Sequence, residues 1–219
     1  MGYKVLGFDS SGGVTTAGLV EDGRLLADIS FRGERIAGSH LVEWIDHIVA
    51  LQGPPAGIGV GIGPGSFTGV RVSISAAKAL AYAWAVPVKG VSSLAAWALA
   101  LPAGSRVVVT SERRGPAFYL ALYYVGADHV VPIVPDTAIS GALPAPFPLA
   151  DAVWVVGPAA EDPALMRAIG PQARPHDAEI SGLNVARLAW PGLQWGQTDD
   201  VSLLQPSYLR PPAISRPAR

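Results

Sequence analysis

The sequence predicts an α/β fold in which helices cover mixed β-sheets, and three observations lead to this prediction. The first 30 residues contain three strand patterns, at 4–9, 14–21 and 24–30. The last two are joined by Asp22-Gly23, a strong hairpin signal. Strand and helix patterns alternate after that, and the second half of the chain begins again with strands. The order indicates a mixed sheet with helices on it, in a layout that is then repeated.

Each later element follows from a local signal. A proline keeps the residue before it out of the helical conformation, so proline and glycine mark where helices end. In the first half the predicted elements are a helix at about 39–51, a strand at 57–61, a long helix at 67–85, a strand at 86–91 and a helix at 92–99. In the second half they are strands at 106–111, 117–124 and 152–156 and a helix near 163–169. The proline-rich stretch 131–150 is predicted to be rich in loops.

Composition excludes several classes of protein. The chain has 219 residues, a net charge of −1 and no cysteine, which excludes disulfides, thiol catalysis and cysteine-bound metal. No apolar run reaches the roughly 20 residues of a membrane span, and no signal peptide precedes the first strand, so a cytoplasmic protein without membrane contact is expected. Mean hydropathy is +0.34 with only 15% charged residues. This hydropathy favours an apolar surface that a partner covers.

The most informative stretch is Gly61-Ile-Gly-Pro-Gly-Ser-Phe-Thr-Gly-Val-Arg71. Gly63 and Gly65 permit positive φ or close backbone approach, and Ser66 is placed to cap the following helix. A glycine turn before a helix N-terminus presents N–H groups to an anion. The alternative is a tight strand-to-helix connection with no ligand, which the spacing alone favours. Neither the dinucleotide-binding nor the P-loop fingerprint is present.

These residues resemble the TsaB (YeaZ) family, which acts in bacterial tRNA threonylcarbamoyladenosine modification. The motifs that carry the resemblance are the stretch just quoted, Lys78-Ala-Leu-Ala-Tyr82 and Pro87-Val-Lys-Gly-Val-Ser-Ser-Leu94. Weaker similarities are Leu6-Gly-Phe-Asp-Ser-Ser11, Arg113-Arg-Gly-Pro-Ala-Phe-Tyr119 and Pro206-Ser-Tyr-Leu-Arg210. The resemblance spans most of the chain and is specific between Gly61 and Leu94. One departure is Ser111-Glu112, where the family usually has Asp-Ala.

The resemblance implies a two-lobed fold of the actin–hexokinase–Hsp70 (ASKHA) type, with a TsaD-like N-terminal lobe at 1–103 and a smaller C-terminal lobe at 104–219. It also implies a non-catalytic partner subunit of TsaD, the protein that forms N6-threonylcarbamoyladenosine at position 37 of ANN-decoding tRNAs. Further partners would be the ATPase TsaE and, when the protein is alone, a second copy in a homodimer. The tRNA would be contacted only through the complex. No cofactor is expected on the isolated protein, and ATP or ADP is expected at the interface of the complex.

Four residues are candidates for a cofactor site: Asp9, Gly63, Gly65 and Ser66. In the fold that the resemblance implies, Asp9 faces the cleft and serves the metal or phosphate of a nucleotide. The alternative is an aspartate that bonds its own turn near Ser11. The sequence leaves both interpretations open.

A metal site is not expected. His40 and His47 lie on one side of the first helix, but roughly 10.5 Å of helical rise separates them. Zinc needs its ligands at about 2 Å, so these histidines cannot share an ion. In TsaD a metal-binding His-x-x-x-His follows the strand that corresponds to 86–91. Here the two positions fall on Ser93 and Trp97, and an indole cannot bind a metal.

The partner surface is predicted on the helices at 39–51 and 67–85. On the first, apolar residues occupy about half of the circumference, whereas a helix on its own sheet needs a stripe of about 100°. The second is rich in Ala and Ser, so another helix could approach it closely. The predicted partner-binding residues are Leu41, Trp44, Ile45, Ile48, Val49, Arg71, Ser75 and Lys78. Trp44 and Val49 lie near opposite margins of the apolar arc. The alternative is that both helices pack only on their own sheet and on each other.

Two other classes of function remain open at this stage. One is a free-standing enzyme of the same fold, either an ATPase or kinase or a glycoprotease. The other is a self-associating structural protein without a role in tRNA modification. ATP turnover by the isolated protein would distinguish the first class, and co-purification with TsaD would distinguish the second.

Overall fold

A computed structural model describes residues 2–33, 37–113, 117–141 and 152–209, without the side chains of 37–39. The first sheet contains β1 (Lys4–Asp9), β2 (Val14–Glu21), β3 (Arg24–Arg32), β4 (Gly57–Gly61) and β5 (Val88–Val91). The second contains β6 (Arg106–Thr110), β7 (Ala117–Val125), β8 (Val130–Ser140), β9 (Val153–Val156) and β10 (Ala173–Pro175). The described helices are α1 (Ala37–Gln52), α2 (Phe67–Trp84), α3 (Ser93–Ala98), α4 (Pro163–Ile169) and α5 (Gly182–Gln194).

Both sheets have the same topology. The strand order is β3-β2-β1-β4-β5 in the first and β8-β7-β6-β9-β10 in the second. In each, the first three strands form an antiparallel meander, and the last two pair in parallel beside the first strand. These two mixed sheets confirm the predicted α/β fold and its repeated layout.

The last helix of each half packs on the sheet of the other half. Helix α3 packs against β6 and β7, whereas α5 packs against β1, β2 and β4. The approach of α5 is close because glycines line the strands below it. A Cβ atom at Gly7 would lie 2.3 Å from the backbone nitrogen of Ala186. The two sheets are therefore tied by exchanged helices, and the division of the chain at residue 103 stays a prediction.

Helices α1 and α2 cover the face of the first sheet opposite α5. Their apolar residues join side chains of β1, β2 and β4 in one buried cluster, which includes Leu6, Leu19, Leu41, Ile45, Ile58, Ile74 and Ala77.

In the described ranges, no helix is long and apolar enough to cross a membrane.

The prediction of loops across 131–150 is wrong for its first part, which forms β8. Strand β8 lies at the edge of its sheet, and its prolines are Pro132 and Pro135. An edge strand tolerates proline because one row of its N–H groups needs no partner. The remainder, from residue 142 to 150, lies outside the described residues. Strand β10 and helix α5 had no counterpart among the predicted elements.

Candidate functional site

The glycine turn after β4 uses its two glycines differently. Gly63 has φ of +89° and precedes a cis proline, Pro64. Gly65 does not have a positive φ. A Cβ atom there would instead lie 2.3 Å from the backbone oxygen of Ser11. One glycine is therefore required for its conformation and the other for close backbone approach.

Two N–H groups of this turn are bonded within the protein. Gly63 N donates to Ser93 Oγ at 3.0 Å, and Ser66 N donates to the Ser11 carbonyl at 2.6 Å. Ser66 is the N-cap of α2, as predicted, and its Oγ accepts from Gly69 N at 3.4 Å. This bonding supports the interpretation as a tight connection. Anion or cofactor binding by Gly63, Gly65 and Ser66 stays a prediction.

Asp9 ends β1 and is completely buried. Its Oδ1 accepts hydrogen bonds from Ser11 N at 2.7 Å and from Ser11 Oγ at 2.8 Å, and its Oδ2 accepts from Ser93 Oγ at 2.5 Å. Burial raises the pKa of the Asp9 carboxyl group above its ordinary value, and the bonds from Ser93 and Ser11 oppose this shift only in part. Both carboxylate oxygens are occupied, so the geometry supports the interpretation of Asp9 as a residue that bonds its own turn.

Ser93 and Trp97, the positions that correspond to the TsaD histidines, both make internal hydrogen bonds. Ser93 Oγ bonds Asp9, as described above. Trp97 is only 8% exposed, and its Nε1 donates to the backbone oxygen of Ala178 at 2.5 Å. These bonds join α3 to both halves of the molecule. In the part of the chain that the structure describes, no group of three or more His, Asp or Glu side chains is arranged to hold a metal ion.

A small cavity of about 140 Å³ lies between the two halves, and Trp97 forms one of its walls. Its other lining residues are Gly13, Val14, Arg32, Gly157, Pro158, His176, Asp177, Ala178 and Glu179. Arg32 and Glu179 form an ion pair across it. The ion pair, like the Trp97 bond, connects the two halves.

A larger open groove, of about 510 Å³, runs between α1 and α2. It is lined by Val42, Phe67, Thr68, Arg71, Val72, Ser75 and Ala76. Val42 is 49% exposed and Phe67 is 41% exposed. The two helices therefore do not close over one another, and apolar side chains remain accessible between them.

Three of the predicted partner-binding residues belong to the protein's own core. Leu41 and Ile45 are completely buried and Ile48 nearly so, because they face the first sheet. Their prediction as partner-binding residues was wrong. Helical periodicity shows that half of the α1 circumference is apolar, but it does not show which part of that arc faces the sheet. Trp44 is half-buried, with its ring 6.2 Å from that of Phe31, and Val49 packs at the margin of the core.

On α2, Arg71 and Ser75 line the groove and are exposed. Lys78 instead donates from Nζ to the backbone oxygen of Ser202 at 3.0 Å. The sequence interpretation missed Val42, Phe67 and the contribution of Tyr208, whose hydroxyl accepts from Arg71 Nε at 2.8 Å.

Arg113 lies in the segment where Ser111-Glu112 departs from the family pattern. It joins two elements of the second half. Its Nε lies 2.6 Å from Asp162 Oδ2, and its guanidinium carbon lies 4.4 Å from the centre of the Phe118 ring. Asp162 caps α4, so Arg113 connects that helix to β7.

A sequence model of the family described as TsaD, tRNA N6-adenosine threonylcarbamoyltransferase, matches residues 53–142. This range contains the glycine turn, α2, β5 and α3. No curated protein sequence matches significantly.

Two solved structures from Pseudomonas aeruginosa have the same fold. One, an uncharacterized protein with similarity to peptidase YEAZ, is 23% identical with a TM-score of 0.80, covering 95% of this chain and 100% of that one. The other, YeaZ, is 22% identical with a TM-score of 0.81, covering 94% of this chain and 100% of its own. The chain therefore has the fold of YeaZ over nearly its whole length, and the resemblance to the TsaB (YeaZ) family that its motifs predicted is confirmed.

Proposed function

We propose that this protein is a non-catalytic partner subunit of TsaD, required for N6-threonylcarbamoyladenosine formation at position 37 of ANN-decoding tRNAs. It binds TsaD through the α1–α2 groove, and TsaE joins the complex. ATP or ADP binds at the interface of the complex, and tRNA is contacted only through it. Without TsaD the protein forms a homodimer in the cytoplasm. The YeaZ fold and the match to the TsaD family support this assignment.

The observation that carries the proposal is the open groove between α1 and α2. A protein that worked alone would gain stability by closing these helices over Val42 and Phe67, which are 49% and 41% exposed. Contiguous exposed apolar surface is typical of an interaction site. The groove lies between two helices, a position that an amphipathic helix of a partner can occupy.

The non-catalytic role is inferred from the bonding of Asp9, Ser93 and Trp97. The hydroxyl of Ser93 and the indole N–H of Trp97 are both engaged in internal bonds. The Asp9 carboxylate accepts from Ser11 and Ser93 with both of its oxygens and is shielded from solvent. The Asp9 bonds lie within the first half and the Trp97 bond reaches the second, so all of these groups have structural partners, and we infer that TsaD supplies the reacting groups.

The test is Val42→Glu, which places a charge in the groove without touching the core. Val131→Glu is a matched control, because Val131 is 47% exposed and lies on β8 of the other half. Both variants should fold, as judged by circular dichroism. Loss of a central interface contact commonly costs about 2 kcal/mol or more, so Val42→Glu should weaken TsaD binding by roughly 30-fold or more. The control should bind like wild type.

Reconstituted tRNA modification should fall in step with TsaD binding, since no catalytic group is removed. If Val42→Glu binds TsaD normally, the groove is not the interface. ATP turnover by the isolated protein would favour a free-standing enzyme. Self-association without any TsaD binding would favour a structural protein.

A further inference from the structure

We propose that Arg71 is a preoriented carboxylate-binding group in the α1–α2 groove, and that the partner helix seated there carries an Asp or Glu opposite it. The inference rests on the proposed function, because it names the chemistry of the partner at the same surface. The Arg71 contact would select the partner. The apolar lining of the groove alone does not define which helix binds there.

Two contacts hold the Arg71 guanidinium in place. Its central carbon lies 3.8 Å from the centre of the Phe67 ring, and its Nε donates to Tyr208 Oη at 2.8 Å. The rings of Phe67 and Tyr208 are themselves 5.8 Å apart, so the cation is held beside an aromatic pair. An arginine at a helix surface usually loses side-chain entropy when it binds. Here much of that loss has occurred before any partner arrives.

The bonding capacity of Arg71 is not exhausted by these contacts. A guanidinium has five N–H donors, and one of them bonds Tyr208. Among the described residues, no Asp or Glu forms an ion pair with Arg71, although it is exposed and lines the groove. The two Nη atoms form a fork whose geometry matches both oxygens of a carboxylate.

The surroundings of Arg71 strengthen such a pair. Val42, Val72 and Ala76 line the same groove, so a helix seated there would exclude water from the charged contact. An ion pair in a less hydrated site attracts more strongly than one at an open surface. The occupant that fits is therefore a helix with apolar residues at i and i+3 or i+4 spacing and one carboxylate among them.

Two other occupants of the groove differ in the carboxylates that they offer. The chain's own residues 210–219 contain three arginines and no Asp or Glu, so their side chains offer Arg71 no carboxylate. A second copy could offer Glu43 or Asp46, which are exposed on α1. A self-associated dimer is therefore the alternative that the experiment must distinguish.

The experiment measures TsaD binding by wild type and Arg71→Met over a range of salt concentrations. Methionine keeps most of the apolar stem and removes the charge. Arg167→Met is the matched control, because Arg167 is an exposed arginine on α4 of the other half. We expect Arg71→Met to weaken binding roughly tenfold at low salt and to reduce its salt dependence, since an interfacial charge pair is screened by ions. The control should change neither property.

Arg71→Lys provides a second test, because it keeps the charge but loses the planar fork. It should bind more weakly than wild type and retain most of the salt dependence. Melting temperature and circular dichroism show whether each variant is folded.

The possible failures are distinguishable. If Val42→Glu prevents TsaD binding but Arg71→Met matches wild type in affinity and salt dependence, the carboxylate proposal is wrong and the proposed function stands. If Val42→Glu also binds normally, the groove is not the interface. If wild type itself does not bind TsaD, the proposed function fails. If sedimentation shows that Arg71→Met disrupts only self-association, a second copy is the occupant and the proposal is overturned.

Discussion

The two halves of the molecule place different groups at the same topological position, the end of the first strand of each sheet. In the first half, Asp9 is a buried carboxylate that accepts three hydrogen bonds from Ser11 and Ser93. In the second half, the hydroxyl of Thr110 donates to the Val156 carbonyl at 3.1 Å and accepts from Ala159 N at 3.2 Å. A charged and a neutral group thus make the same kind of connection between neighbouring loops. The comparison shows that this position requires hydrogen bonding but does not require charge.

The helices of the two halves differ in a second way. Helices α1 and α2 have 16 and 18 residues and leave an open groove between them, whereas α4 has seven residues. The last helix of each half crosses to the other sheet. The open groove lies between the two long helices of the first half, and we propose the partner surface there.

The largest effect is expected from Gly61→Ala, which tests how tightly the Asp9 connection is packed. A Cβ atom at Gly61 would lie 1.7 Å from Asp9 Oδ2 and 2.8 Å from Ser93 Oγ. We expect the free energy of unfolding in urea to fall by about 3 kcal/mol or more. Gly13→Ala is the control, because nothing lies within 4 Å of a Cβ atom there. Adding Asp9→Ala to Gly61→Ala should restore part of the stability, and a double variant less stable than Gly61→Ala would contradict the packing argument.

The next prediction separates charge from hydrogen bonding at the two strand ends. Burial raises the pKa of Asp9 in the folded protein above its unfolded value, so the folded state holds its proton more tightly. The stability of wild type should therefore fall as the pH rises from the unfolded pKa, about 4, through the higher folded pKa. Asp9→Asn lacks this pH-dependent contribution to stability, because the asparagine side chain does not titrate. The stability difference, wild type minus Asp9→Asn, should be largest at acid pH and decrease toward neutral pH.

A single group changes stability by at most about 1.4 kcal/mol per pH unit within its titration window. Asp28 and Asp136 also have raised pKa values, again because of burial, but they are present in both proteins. Their effects cancel in the difference. Thr110→Val should show no comparable change with pH relative to wild type. A pH-independent difference between wild type and Asp9→Asn would mean that the Asp9 pKa is not shifted.

Thr110→Val should have a smaller effect at any pH. Valine has nearly the shape of threonine, but it leaves Ala159 N and the Val156 carbonyl without the Oγ1 partner. The expected cost in urea unfolding is about 1–2 kcal/mol. Thr198→Val serves as the control, because Thr198 is exposed, and it should change stability by less than about 0.5 kcal/mol. Equal stability of the two variants would show that the Thr110 bonds are replaceable.

The smallest effects are expected at the helix caps. Asp162 Oδ1 accepts from Ala164 N at 2.8 Å and from Leu165 N at 3.1 Å, whereas the Ser66 bond to Gly69 N is long, at 3.4 Å. Asp162→Ala should therefore cost about 1 kcal/mol and Ser66→Ala less, as measured by thermal melting. Asp162→Asn keeps the cap and loses the charge that faces Arg113, so it separates the two contributions. If Ser66→Ala lowered the stability more than Asp162→Ala, the comparison of the two caps would be wrong.

Several elements could be predicted because their signals are local. Neighbouring residues determine the Asp22-Gly23 turn, the helix before Pro87 and the strand at 57–61. The structure contains each of them. Strand β8 could not be predicted, because whether proline is tolerated depends on the strand's position at a sheet edge. Helix α5 contains Pro191, which is a poor helix signal.

The sequence by itself determined the glycine turn, the capping serine at Ser66 and the family resemblance, since short motifs carry all three. Only the tertiary structure decided what Asp9 does, because its partner Ser93 is 84 residues away. The same holds for Arg71, which meets Tyr208 across 137 residues. The apolar arc of α1 was visible in the sequence, but the sheet decides which part of it is buried. Helical periodicity defines a face of a helix, and packing against other elements decides whether that face lies in the core or in a groove.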